Sequence, residues 1–102
     1  MSTLHTVNKS PFATQTLMSC LNHCRDGDAV LMIEDGVYGA LDRSGMADFV
    51  RAKAAQVSIY VLTPDAQARG LAQDKLLSDV QGIDYAGFVN LVTEHDRTQS
   101  WL

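Results

Sequence analysis

Only two cysteines, Cys20 and Cys24, occur in the 102 residues. That is too few for the disulfide framework of a small secreted domain, and both thiols are expected to be reduced. Basic charge is scarce as well: eight Lys and Arg stand against twelve Asp and Glu, for a formal net charge of -4. The cations are scattered and do not interleave with aromatics, so direct nucleic-acid binding is not expected. No apolar run approaches the roughly 18 residues of a membrane span. The opening "MSTLHTVNKSPF" lacks a long apolar stretch, so no signal peptide is expected and the predicted location is cytoplasmic. GxGxxG and Walker patterns are absent, which removes the usual phosphate cradles. His5 and His95 stand isolated, so no closed metal-ligand set is visible and no cofactor is expected.

What remains is an ordinary globular composition, 46% hydrophobic and 20% charged, with no repeat or linker to divide it. Residues 1–102 are expected to form a single domain. "TLHTVN" reads as a first strand over 3–8. Ser10-Pro11 suits a helix start, and the spacing predicts a helix over about 11–25 with Gly27 as its stop. "AVLMIE" is a strand buried on both faces, and "VYGAL" can open a short helix. Met46, Phe49, Val50 and Lys53 mark one side of a further helix. "QVSIYVL" is a third strand, followed by a Thr63-Pro64 helix start and a Gly70 stop. Residues 71–81 read as loop or frayed helix, "GIDY" as a minimal strand. Tyr85, Phe88, Val89 and Val92 form one stripe of a last helix, and "TQSWL" adds a short last strand. The alternation of strands and helices predicts an α/β sandwich with a mainly parallel sheet. Sites in such sheets gather at strand carboxyl ends, here Asn8-Lys9-Ser10, Glu34-Asp35-Gly36 and Thr63-Pro64-Asp65.

Helical steps of about 100° place Ala13, Leu17, Cys20, Leu21 and Cys24 in one apolar sector, which favours burial of both thiols. A reactive thiol needs exposure and a positive neighbour. An intrahelical disulfide is excluded, because Cβ atoms at i and i+4 lie about 5–6 Å apart where about 3.8 Å is required. Glu34 and Asp35 can be read as an acid/base pair, but Asp-Gly after a strand favours turn chemistry. Trp101 is either a core plug or an interface anchor.

Beyond single residues, "LHTVNKSP", "EDGVYGAL", "YVLTPDAQARGL", "DYAGFVNLV" and "SWL", in that order, resemble the TusB/DsrH family of sulfur-relay proteins across nearly the whole chain. The resemblance implies a three-layer α/β/α fold with a five-stranded parallel sheet. It implies a heterohexamer with TusC/DsrF-like and TusD/DsrE-like subunits, two copies of each. Sulfur would come as persulfide from a TusA-type donor and leave to a TusE/DsrC-type acceptor. The main persulfide cysteine is expected on the TusD/DsrE-like partner, so whether this chain is itself an enzyme stays open. Cys20 lies where the DsrH branch can carry a thiol, which favours that branch and intracellular sulfur oxidation. The alternatives are the TusB role in 2-thiolation of tRNA wobble uridine and a catalytically silent scaffold. On this basis Cys20 is the expected auxiliary persulfide carrier and the more accessible thiol, with Cys24 buried and inert. A third reading places a small-molecule site at the strand ends near Asn8, Glu34 and Asp65.

Overall fold

A computed structural model describes residues 1–102. The β-branched run near the start forms β1 (Thr3–Val7), buried along its whole length. "AVLM" forms β2 (Ala29–Met32), also buried throughout. With β3 (Ser58–Leu62), β4 (Gln81–Ile83) and β5 (Arg97–Trp101) they make one sheet in the order β4-β3-β2-β1-β5. Every pairing is parallel. Parallel neighbours require crossovers, here α1 (Thr16–His23), α2 (Ala47–Ala54), α3 (Thr63–Ala68) and α4 (Tyr85–Glu94). "EDGVYGA" is a 3-10 helix over Glu34–Ala40, and a shorter one spans Gln73–Lys75 in the segment expected to be loop or frayed helix.

Alternate strand residues divide two cores. Val7, Val30, Met32, Ile59 and Val61 pack with Leu17, Cys20 and Leu21 of α1 and Val50 of α2. Leu4, Ala29, Leu31 and Leu62 pack with Leu91 of α4 on the other face. The outcome is the expected three-layer α/β/α sandwich. No helix is long and apolar enough to cross a membrane.

Two helices depart from expectation. α1 begins at Thr16, not near Pro11, because Ser10 is spent on a turn. Its hydroxyl accepts from the Phe12 N–H, and its carbonyl accepts from the N–H groups of Ala13 and Thr14. α4 turns Leu91 inward, with Phe88 half-buried beside it. Tyr85, Val89 and Val92, read together with Phe88 as one apolar stripe, are 59%, 62% and 43% exposed. The helix is apolar on more sides than the sheet can cover.

The carboxyl ends of the central strands are filled by the protein itself. Glu34 adopts a left-handed φ of 50°, and its N–H donates to the Asp65 carboxylate at 2.7 Å. Arg69 donates to Asp35 at 2.9 Å. A Cβ on Gly36 would overlap the Val7 carbonyl oxygen, so only glycine lets the 3-10 segment lie this close to β1. Glu34 and Asp35 therefore hold a turn, as their Asp-Gly context suggested. The cavities of the fold are lined by residues other than Asn8, Glu34 and Asp65.

Candidate functional site

The chemistry-bearing residues meet between β1, β5 and α1. Thr3, His5 and Val7 share one face of β1, and the parallel register sets Arg97, Gln99 and Trp101 of β5 beside them. His5 is 2% exposed, and a buried ring of this kind must have both nitrogens satisfied. They are. The indole N–H of Trp101 donates to His5 Nδ1 at 3.0 Å. Indole nitrogen can only donate, so Nδ1 carries no proton and the ring hydrogen sits on Nε2. That N–H donates to Asp28 Oδ2, again at 3.0 Å.

Asp28, just before β2, anchors the arrangement. Its carboxylate also accepts from the N–H groups of Thr3 at 2.9 Å and Arg25 at 3.1 Å. Burial works against its ionisation, but the bonds from His5, Arg25 and Thr3 prevail and hold its carboxyl below the usual range. His23, at the end of α1, packs edge-on against Trp101 with ring centres 5.6 Å apart. A polar cavity of about 380 Å³ opens here, lined among others by His5, His23, Arg25, Asp28 and Arg97.

The two thiols lie against the same imidazole. A ring nitrogen of His5 and the sulfurs of Cys20 and Cys24 all fall within 4.8 Å of one another. The accessibility order is the reverse of the expected one: Cys20 is 0% exposed, while Cys24 is only half-buried. The reason is positional. Cys20 faces the sheet in mid-helix, whereas Cys24 is the residue that caps α1 in an extended conformation. In the neutral pair the Cys24 thiol donates to the Cys20 carbonyl at 3.3 Å. Hydrogen bonding from the Cys20 side chain, helped by Lys53 and opposed by burial and Asp28, holds Cys24 below the usual thiol range. The same bond, burial and the charges of Cys24 and Asp28 push Cys20 up. Whatever thiolate the cluster offers belongs to Cys24.

His5 was read as isolated, and its place in this cluster corrects that. His95 remains structural: its Nδ1–H donates to the Leu91 carbonyl at 2.7 Å and closes the end of α4. Trp101 is a core plug, packed against the larger cluster. Asp28 was not singled out by sequence at all. A histidine inside an apolar, β-branched strand is the one signal that could have prompted a search for its partners.

The five-stranded, all-parallel sheet between helices sets the class as an open α/β fold, and comparison places the chain in a family. The family model described as DsrH like protein matches residues 9–98. Protein TusB of Pectobacterium parmentieri is 38% identical over 98 residues, covering 96% of this chain and 99% of that protein. Protein TusB of Shigella flexneri is 35% identical over the same shares. The chain belongs to the TusB/DsrH family of sulfur-relay proteins. Among solved structures, the ychN protein from E. coli shares the fold with a TM-score of 0.76 at 14% identity, covering 98% of this chain and 99% of that one. A protein of unknown function from Methanobacterium thermoautotrophicum does so at 0.70 and 18% identity, covering 97% and 96%.

Proposed function

We propose that this chain is a cytoplasmic subunit of a persulfide relay serving 2-thiolation of the tRNA wobble uridine. The observation that carries the reading is the full-length similarity to proteins named TusB. That similarity supports the tRNA branch over sulfur oxidation, a preference that rested on the presence of a cysteine at position 20.

In this role the chain assembles with TusC/DsrF-like and TusD/DsrE-like subunits, two copies of each. It stands between a TusA-type donor and a TusE/DsrC-type acceptor, with the main persulfide cysteine on the TusD/DsrE-like partner. The uncovered apolar side chains of α4, Tyr85, Val89 and Val92, support assembly, since such a patch is costly on a chain that works alone.

Within the relay Cys20 is the auxiliary carrier that family resemblance suggests, but its burial sets a condition. A persulfide donor must reach the attacking thiolate, and Cys24 is the thiol it meets first. Cys20 takes up sulfur only through Cys24 or after α1 opens. The zero exposure of Cys20 also favours a second reading, in which the chain is a scaffold that carries no sulfur. Loading the co-expressed complex with a persulfide donor and locating added sulfur by peptide mass spectrometry separates the two. Sulfur on a cysteine of this chain, with slower delivery to the acceptor in Cys24→Ser, supports a relay role. Sulfur confined to the partner subunits makes it a scaffold.

A further inference from the structure

We propose that His5, Cys20 and Cys24 form a binding site for a soft divalent cation such as Zn2+, one that the Trp101 indole holds in check. The three ligand atoms lie within 4.8 Å of one another. Tetrahedral zinc with Zn–S near 2.3 Å needs donors roughly 3.8 Å apart, so the cluster must tighten by no more than about 1 Å. Cys24 can supply that movement, because it lies at the end of α1 with an extended backbone (φ -66, ψ 148) and is not locked within a turn of helix. Its partial exposure also gives the ion a way in. Two thiolates and an imidazole are a known zinc donor set, with the fourth position left to water.

Binding is coupled to the C-terminal strand by the chemistry of imidazole. A neutral histidine that ligates through one nitrogen carries its proton on the other. If the metal takes Nδ1, it occupies the atom that Trp101 now uses. If it takes Nε2, the proton moves to Nδ1 and faces the indole N–H. In both cases Trp101 loses its acceptor, so metal and indole compete for the same ring. The step balances as Zn2+ plus two thiols giving the complex and two protons. Both thiols are then withheld from sulfur transfer.

The test is a Zn2+ titration of the reduced, metal-free full-length chain, read by competition with a chromophoric chelator and by emission of Trp101, the only tryptophan. One equivalent should bind with a change in emission. Cys24→Ser should weaken binding by more than about tenfold, since even outer-shell partners of a metal carry that much. Trp101→Phe should tighten it roughly fivefold, the worth of one displaced hydrogen bond. The proposal is overturned if neither the parent chain nor Trp101→Phe binds Zn2+ while two free thiols are titrated. It is equally overturned if Cys24→Ser binds as tightly as the parent.

Discussion

Trp101 and His5, 96 positions apart in the chain, share a 3.0 Å hydrogen bond from the indole N–H to Nδ1. That bond fixes the tautomer of a buried imidazole and pins the last strand to the first. Replacing Trp101 with Phe keeps a ring but removes the donor. The expected cost is about 1–3 kcal/mol, from the lost bond, an unpaired Nδ1 and poorer packing. Urea unfolding followed by circular dichroism measures it, and an unchanged midpoint would show that the bond carries no stability.

Asp28 makes stability depend on acid. Its folded carboxyl titrates below the unfolded value of 3.8, so the unfolded chain takes up the proton first as pH falls. The stabilisation is therefore complete above about pH 5 and fades as pH drops through the folded value. Asp28→Asn should lower stability at neutral pH and flatten the acid limb of the stability curve. A limb as steep as that of the parent would place the acid sensitivity elsewhere.

The thiols should separate in reactivity. Iodoacetamide at neutral pH is expected to label Cys24 in the native chain and to reach Cys20 only on unfolding. Cys24→Ser should change stability by less than about 1 kcal/mol, whereas Cys20→Ser, which puts a hydroxyl into the larger core, should cost about 1–3 kcal/mol. Peptide mapping after timed labelling decides the order. Native labelling of Cys20 ahead of Cys24 would mean that α1 does not cover it as the fold shows.

A charge on the bare face of α4 should affect assembly before folding. Val89 is 62% exposed, so Val89→Asp should leave the melting temperature of the isolated chain within a few degrees. Co-purification of the two related subunits should fall sharply. Full recovery of partners with the variant would place the interface on another surface.

Sequence made the architecture legible because β-branched runs and helical spacing are local signals. The sheet and its parallel sense follow from such patterns. The same spacing put both thiols on a buried sector, and the expectation that Cys20 would be the more accessible of the two was wrong. Helical spacing set Cys20 and Cys24 on the same sector; it could not show that α1 would stop between them. The His5–Asp28 pair spans 23 residues and the His5–Trp101 pair 96. Both depend on strand register, which short-range patterning does not encode. α4 was misjudged for a different reason: with apolar residues on several sides, Leu91 and Phe88 compete with Tyr85, Val89 and Val92 for the inward position. Only the shape of the sheet decides which set wins.

Nucleoside mass spectrometry of tRNA tests most directly the proposed role of this chain in wobble-uridine thiolation. In cells deprived of this chain alone, 2-thiouridine at the wobble position should fall steeply and return when the parent chain is restored. Undiminished 2-thiouridine, with oxidation of stored sulfur impaired instead, would contradict the account.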